Sequence, residues 1–367
     1  MLIFFVLICI VAITIFALPH IIITKNVLPQ PLGQWQVGTS EIDWKSPDYP
    51  ENKIIANVWY PTAEKSGNYN RYINKIGRDF TDPIVANLVY KLIFLLLRCV
   101  STSPAFTNTT PIQTPDGLPI VLFSPCFGGI NYLGTFYALE FASHGFIVIG
   151  INHPKSNVGT ICTNGSQVKF ENFDPSVFND PDRLEQYIGS VTRAQAINIS
   201  AIVDEIIDLN SEPESLFYQK IDLHKIFAAG HSIGGSASFA ACGRDRRISK
   251  GIDLDGTCVD LDLEIADYTK SRLLLIYADR EKYKPKNKKG IHQYNEMMAI
   301  DKKWTDKLND KANLQKIWFR ATTHYSFTDL PILINSTISK KIGLAGQADG
   351  LTVLLESARV MIDFLNK

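Results

Sequence analysis

Residues 228–236 read Ala-Ala-Gly-His-Ser-Ile-Gly-Gly-Ser and contain the pattern Gly-x-Ser-x-Gly around Ser232. A strand-like run, Lys225–Ala229, precedes this turn, and a helix-like run of small residues, Gly235–Cys242, follows it. A serine on such a strand-to-helix turn projects its hydroxyl clear of the sheet edge, and bulky neighbours would clash there. The N-terminus of the following helix favours developing negative charge. The stretch therefore predicts a nucleophilic serine, with a glycine-rich turn that only packs a helix against a sheet as the alternative.

Short apolar segments alternate with helix-like segments along the chain after residue 30. The strand-like segments are Ile54–Tyr60, Leu118–Phe123, Phe146–Ile151, Lys225–Ala229, Ile248–Leu254, Arg272–Ala278 and Leu314–Arg320. The helix-like segments are Asn131–Ser143, Arg193–Leu209, Gly235–Cys242 and Leu351–Leu365. Strands that are continuously apolar indicate a sheet covered on both faces. The pattern predicts an α/β fold with a mostly parallel central sheet and helices on both faces, in one domain over residues 30–367.

A nucleophilic serine needs a base, and the base needs an orienting carboxylate. In folds with this turn the chain order is serine, then acid, then histidine. Of the histidines that follow Ser232 by enough chain, His324 comes just after a late strand, whereas His292 lies in a polar, lysine-rich stretch. Asp255 and Asp279 each end a predicted strand. The pattern predicts His324 as the base and leaves both acids open.

An oxyanion hole needs two backbone N–H groups that converge on one oxygen. Ile233, directly after the serine, is expected to supply the first. The turn after the Leu118–Phe123 strand is expected to supply the second, from Phe127 ahead of Cys126. No binding motif for a metal ion or an organic cofactor is found in the sequence, and none is expected to be needed.

Residues 1–25 begin with an uncharged, almost wholly apolar stretch, Met1–Leu18. Such a stretch is long enough to cross a bilayer. It lacks the basic n-region and the small-residue cleavage site of a signal peptide, which favours an uncleaved anchor over an export signal. Either interpretation predicts a membrane-anchored or exported protein.

Composition excludes several classes of protein. The 367 residues carry 37 basic and 37 acidic side chains, and 46% are hydrophobic. This balance is typical of a packed globular protein, and a neutral chain without a large basic segment argues against nucleic acid as a partner. Six cysteines are too sparse for a disulfide scaffold in a chain of this length.

The chain resembles the secreted, plasma-type platelet-activating-factor acetylhydrolases and their bacterial relatives, which have the α/β-hydrolase fold. The resemblance covers nearly everything after the N-terminal segment. The stretches that carry it are Trp59-Tyr60-Pro61, Phe123–Gly129, Ala142–Val148, Gly230–Gly235, Gly251–Asp255 and Thr323–Asp329. The Ser-His-Gly-Phe-Ile-Val stretch and the spacing of the late Asp and His are more specific than the glycine turn.

The resemblance implies a Ca²⁺-independent serine esterase that acts on phospholipids with short or oxidised sn-2 acyl chains. It favours Asp255 over Asp279 as the acid, and Phe127 and Ile233 for the oxyanion hole. This chain departs from the family where it has Pro125-Cys126, since relatives usually have His-Gly there. Proline fixes φ, which puts the substrate preference in question more than the chemistry.

Two stretches suggest contact with lipid. Ile84–Val100 is apolar apart from Lys91 and Arg98, and is expected either to lie in the membrane interface or to pack against the sheet. Arg280–Lys289 is a basic loop that faces either anionic head groups or only water. The expected partners are a phospholipid or short-chain ester and a membrane surface. The competing functions are a broader carboxylesterase or polyester hydrolase, and a catalytically silent binding module.

Overall fold

The computed structural model describes Ile23 and residues 27–47, 53–73, 102–158, 160–171, 174–261 and 266–367. The predicted anchor or export signal over residues 1–25, apart from Ile23, and the apolar stretch Ile84–Val100 lie outside the described residues. Within the described ranges, no helix has both the length and the apolar character required to span a bilayer.

A ten-stranded sheet forms the centre of the protein. Its spatial order is β12-β11-β10-β9-β5-β6-β2-β1-β4-β3. The strands are β1 (Gln36–Lys45), β2 (Lys53–Thr62), β3 (Tyr69–Arg71), β4 (Thr102–Thr107), β5 (Leu118–Ser124), β6 (Ile147–Asn152), β9 (Ile221–His231), β10 (Ile248–Leu254), β11 (Arg272–Tyr277) and β12 (Asn313–Trp318). A separate short hairpin joins β7 (Thr160–Ile161) to β8 (Gln167–Val168).

The half of the sheet from β12 to β6 is parallel, whereas β2 pairs antiparallel with both β6 and β1. The parallel strands all end at one edge, so the loops after β5, β6, β9, β10, β11 and β12 emerge on the same side. Residues far apart in sequence therefore meet at this edge.

Helices cover both faces of the sheet. They are α1 (Thr135–Ser143), α2 (Pro181–Ser211), α3 (Ile233–Arg244), α4 (Lys288–Asn309), α5 (Leu330–Leu333), α6 (Ser336–Lys341) and α7 (Gly350–Asn366), with 3-10 turns at Asn131–Gly134, Pro175–Asn179 and His324–Phe327. Alternate residues of β5 belong to different cores: Val121 packs in a cluster with α1 and α7, and Leu122 in a cluster with α2 and α3. This arrangement confirms the predicted mostly parallel sheet with helices on both faces.

The sequence prediction left out β1, β3, β4 and the β7–β8 hairpin, and it started α2 at Arg193 instead of Pro181. Two further differences concern β2 and α4. β2 continues through Pro61 to Thr62 instead of stopping at the proline. The whole of α4 went unpredicted because few of its side chains are buried, among them Ile300 and Leu308, and its apolar stripe is correspondingly weak.

Candidate active site

Ser232 lies on the turn between β9 and α3 and is the N-cap of α3. Its backbone has φ 60° and ψ −128°, a left-handed conformation that costs free energy for a residue with a side chain. The turn is held in place because the N–H of Ser232 donates to the carbonyl of Leu254, at the end of β10, over 2.9 Å. The serine is thus fixed at the carboxyl edge of the sheet.

The two glycines of the motif allow backbones to approach closely. A Cβ on Gly230 would lie 2.3 Å from the carbonyl carbon of Gly234. A Cβ on Gly234 would lie 2.3 Å from the carbonyl oxygen of Ser124, at the end of β5. A side chain at either position would therefore force the turn apart, and glycine at 234 lets the loop after β5 pack on the first turn of α3.

Asp255 and His324 contact each other from the ends of different strands. Asp255 follows β10 at φ 57° and is 2% exposed. His324 begins the 3-10 turn after β12, and its Nδ1 lies 2.8 Å from Asp255 Oδ2. The alternative acid, Asp279, instead accepts a hydrogen bond from the backbone N–H of Ala321 at 2.9 Å. The structure thus brings His324 to Asp255, and both line one cavity with Ser232.

The environment keeps Asp255 ionised. Burial alone would raise the pKa of this carboxyl, but Arg280 and His324 outweigh burial and hold the pKa well below its usual value. Asp255 Oδ1 accepts from the N–H of Ala278 at 2.8 Å and from Arg280 Nε at 2.7 Å. Asp255 can therefore orient the imidazole and stabilise an imidazolium.

His231, within the motif, packs against the His324 ring and hydrogen-bonds to the His324 backbone. The two rings lie with their centroids 4.5 Å apart, and His231 Nε2 donates to the backbone carbonyl of His324 at 2.9 Å. Burial, together with the neighbouring His324 ring, lowers the pKa of His231 to about 3. A neutral, buried ring in this position holds the His324 backbone and is not placed to take part in proton transfer.

Ile233 and Phe127 come from adjacent segments of backbone. Ile233 is the first residue of α3, where an N–H group has no intrahelical partner. The Phe127 ring is packed between Phe170 and Tyr187, at centroid distances of 5.2 and 5.8 Å. Both residues also join an apolar cluster that includes Ile188.

The peptide bond between Cys126 and Phe127 is held by hydrogen bonds from its own loop and from the turn after β6. The carbonyl of Cys126 accepts from the N–H of Gly129 and from Asn157 Nδ2, each at 3.0 Å. Because C=O and N–H point in opposite directions in a trans peptide, the N–H of Phe127 points away from Asn157. The hydrogen bonds to the Cys126 carbonyl therefore fix the peptide that carries the Phe127 N–H.

His153 and Asn157, in the turn after β6, were not singled out from the sequence. Asn157 Oδ1 accepts from the N–H of His153 at 2.6 Å, and His153 Nε2 lies 3.0 Å from Ser124 Oγ, just before the Phe127 loop. Burial lowers the pKa of His153 to about 3, so the ring is neutral. The available signal was a polar His-Pro pair directly after a buried strand that ends at the same edge as Ser232.

Ser232, Asp255 and His324 line a cavity of about 420 Å³. Its wall includes Met297 and Met298 of α4 as well as the polar side chains Arg280 and Lys284. The cavity is thus an apolar chamber with basic groups beside Ser232, at the carboxyl edge of the sheet. Within the described residues, no group of three or more His, Cys, Asp or Glu side chains is placed to hold a metal ion.

Comparisons with known proteins concern the family and the fold of the chain. The family model for "Platelet-activating factor acetylhydrolase, isoform II" matches residues 21–367. The platelet-activating factor acetylhydrolase of Canis lupus familiaris is 24% identical over 94% of this chain and 76% of its own length. A "Probable 1-alkyl-2-acetylglycerophosphocholine esterase" of Arthroderma benhamiae is 27% identical over 60% of this chain and 51% of its own length.

The solved structure of a ferulic acid esterase from Streptomyces cinnamoneus superposes with a TM-score of 0.61, at 18% identity, over 93% of this chain and 92% of that one. At this identity the likeness shows the fold. Fold, family and relatives together define an esterase of the α/β-hydrolase class. The chain belongs to the platelet-activating factor acetylhydrolase, isoform II, family.

Proposed function

We propose that the protein hydrolyses short or oxidised sn-2 acyl esters of phospholipids with Ser232 as nucleophile, His324 as base and Asp255 as the orienting acid. The observation that carries the proposal is the 2.8 Å contact of His324 with the ionised, buried Asp255, in the cavity that Ser232 also lines. Membership of the acetylhydrolase family and the named phospholipid esterases among the relatives support the substrate class.

In this mechanism Ser232 Oγ attacks the ester carbonyl while His324 Nε2 takes its proton. Asp255 keeps the other imidazole proton on Nδ1 and stabilises the imidazolium. The N–H groups of Phe127 and Ile233 bind the tetrahedral oxyanion. Collapse expels the glycerol hydroxyl of the lysophospholipid, which takes the proton from His324 Nε2. Water that His324 deprotonates then hydrolyses the acyl-enzyme and releases the acid.

The test uses the full chain in detergent micelles. We expect hydrolysis of p-nitrophenyl acetate and of a phosphatidylcholine with a short sn-2 chain, and slower hydrolysis of p-nitrophenyl decanoate. Activity should resist EDTA and be lost in Ser232→Ala, while Ser211→Ala, an exposed serine near the end of α2, should retain it. Short-ester activity without phospholipid turnover would support a general carboxylesterase, and a folded but inert protein would support the binding-module alternative.

We also propose that the mouth of the cavity faces a membrane surface. Tyr325 lines the cavity and is 39% exposed, and Ile342, 37% exposed, precedes Gly343 of the cavity wall. The predicted basic loop Arg280–Lys289 forms part of the same wall through Tyr283 and Lys284, although its last two residues begin α4 and the Arg280 side chain is largely buried. Exposed apolar side chains beside a lysine suit an anionic lipid interface, and the predicted apolar segment at residues 1–25 would keep the protein near one.

The variant Ile342→Ser separates surface contact from chemistry. We expect turnover of a short-sn-2 phosphatidylcholine in vesicles containing phosphatidylglycerol to fall about fivefold, since one exposed apolar contact is lost. Hydrolysis of dissolved p-nitrophenyl acetate should stay near wild type. Ile207→Ser on α2, which removes an isoleucine that is also 37% exposed, is the matched control. An equal loss on both substrates, or an equal effect of the control, would contradict the membrane-facing mouth.

A further inference from the structure

The side chain of Arg280 is held between two buried carboxylates. Its Nε donates to Asp255 Oδ1 at 2.7 Å, and its Nη1 donates to Asp301 Oδ2 at 3.1 Å. Its Nη2 donates to the carbonyl of Gly256 at 2.8 Å. The Arg280 side chain is 14% exposed, and those of Asp255 and Asp301 are 1% and 8% exposed. In such surroundings, charges interact far more strongly than they do on an open surface.

Asp301, on α4, is itself fixed for this contact. Its Oδ2 accepts from the Tyr277 hydroxyl at 2.9 Å, and its Oδ1 accepts from the N–H of Cys258 at 2.9 Å. The Arg280 guanidinium also lies 4.6 Å from the Tyr277 ring centroid. Every group around Arg280 is thus anchored, and the arginine fork has one available geometry.

The geometry points to Arg280 as a positioning residue for the triad: it fixes Asp255 so that Oδ2 faces His324, and its charge, balanced by Asp301, sets the pH at which the Asp255–His324 pair becomes active. The inference rests on the proposed roles of Asp255 and His324. Arg280 lines the cavity but takes no part in bond making in the proposed mechanism, and it acts through the Asp255–His324 pair.

Two features of the contacts support this role. Both hydrogen bonds to Asp255 Oδ1, from Arg280 and from the N–H of Ala278, leave Oδ2 as the oxygen that faces His324. The carboxylates Asp255 and Asp301 raise the pKa of Arg280 despite its burial, so the guanidinium stays charged. The other ionisable groups that face the Arg280–Asp255 pair are His231, Asp253, Cys258, Tyr277, Tyr294, Asp301 and His324.

Changes of charge at the two ends of this network should move the pH dependence in opposite directions. Arg280→Met removes a positive charge beside the pair, so protonated forms are favoured and the acid limb of kcat/KM should move up by about one pH unit. Asp301→Asn removes the balancing negative charge and should move the limb down. Arg280→Lys keeps the charge but loses the fork, so kcat should fall about 10- to 100-fold while the limb stays near its wild-type position.

The measurement is the pH profile of kcat/KM for p-nitrophenyl acetate with the full chain in detergent, from about pH 4 to pH 9. A second readout, independent of turnover, is the pH midpoint of the His324 ring signals in spectra of ¹⁵N-histidine-labelled protein. Arg320→Met, which removes an exposed arginine near the same edge, is the control and should leave both readouts unchanged.

Opposite shifts for Arg280→Met and Asp301→Asn, in either readout, support the inference. Lower rates with unshifted limbs would overturn it and make Arg280 a structural residue only. A limb in Arg280→Lys that moves as far as in Arg280→Met would also overturn it, because the charge is then not the cause. If the wild-type protein is inert, the proposed function fails, and the ring signals still decide the role of Arg280.

Discussion

Two residues of the candidate site have backbone or side-chain states that only their neighbours can maintain. Ser232 and Asp255 have φ of 60° and 57°, in the left-handed region that residues with side chains seldom adopt. Asp255 is also a buried, ionised carboxyl, which burial by itself disfavours. Such strain is compatible with a stable fold only where the surrounding contacts are stronger, and it concentrates at functional sites.

The first prediction separates the two candidate acids. In Asp255→Asn we expect kcat to fall about 10³- to 10⁴-fold, because an amide cannot hold the His324 tautomer or stabilise its charge. Asp279→Asn should change kcat little, since its described contact is with the Ala321 N–H and an amide oxygen can still accept it. Steady-state hydrolysis of p-nitrophenyl acetate measures both.

Thermal unfolding of Asp255→Asn and Asp279→Asn checks that a loss of activity does not come from a loss of folding. A loss in Asp279→Asn as large as in Asp255→Asn would contradict the assignment of Asp255.

At the scale of the residue, the strand pattern predicted Ser232 and His324, since each follows a recognisable strand. The pattern left Asp255 and Asp279 open as the acid, and only the family resemblance favoured Asp255. The contacts that hold these residues in place were not predicted. Arg280 appeared only as part of a basic run, which usually faces water. Its contact with Asp301 depends on α4 lying beside the end of β11, and no local sequence pattern predicts that these two elements are neighbours.

At the scale of the element, the sequence predicted strands buried on both faces best. β10 was predicted at its observed bounds, Ile248–Leu254: its last four residues are all buried, and Arg247 and Asp255 flank it. β3, at the edge of the sheet, and its neighbour β4 were not predicted, because short strands with polar residues carry little pattern. The turn after β6 has no apolar pattern at all, although it fixes the peptide before Phe127.

The second prediction concerns that turn. Asn157→Ala removes the Nδ2 donor to the Cys126 carbonyl, so only the Gly129 N–H still holds the peptide that ends in the Phe127 N–H, and this peptide can tilt. Removing one oxyanion donor outright costs about 10²- to 10³-fold in kcat. We expect a smaller loss here, about 10- to 100-fold, because the donor is misaligned rather than deleted. KM should change little, and rates with p-nitrophenyl acetate measure both constants.

Two further variants sharpen this experiment. Asn157→Asp keeps an acceptor for the His153 N–H but places a carboxylate against the Cys126 carbonyl, so it should lower kcat at least as much as Asn157→Ala. Asn164→Ala, in the exposed turn between β7 and β8, should behave as wild type. Wild-type kcat in both Asn157 variants would show that the loop holds its shape without this contact.

At the scale of the whole molecule, buried ionisable groups of opposite sign offset one another. Burial holds His153 and His231 neutral, with pKa values of about 3, so the unfolded chain binds more protons below about pH 6.5 and acid lowers stability. Burial raises the pKa of Asp253 and Asp329 well above the ordinary value, so these carboxyls act in the opposite direction. Between roughly pH 4 and pH 6.5 the total stability should therefore change less than either pair alone would require.

The third prediction concerns His153 and compares the free energy of unfolding of the wild type with that of a variant at each pH. His153→Gln should lower the free energy of unfolding at pH 7, because the ring no longer meets Ser124 Oγ. Below about pH 6.5 the wild type loses up to about 1.4 kcal/mol per pH unit that the glutamine variant does not, since only the wild type must exclude a proton from a buried ring. The destabilisation should thus shrink as the pH falls. His292→Gln, at a histidine whose side chain is 62% exposed, is the control and should lower the free energy of unfolding at pH 7 less than His153→Gln does. Urea unfolding of the full chain in detergent from pH 7 to about pH 4 measures both differences, and a constant difference for His153→Gln would mean that this ring takes up a proton in the folded protein as readily as in the unfolded chain.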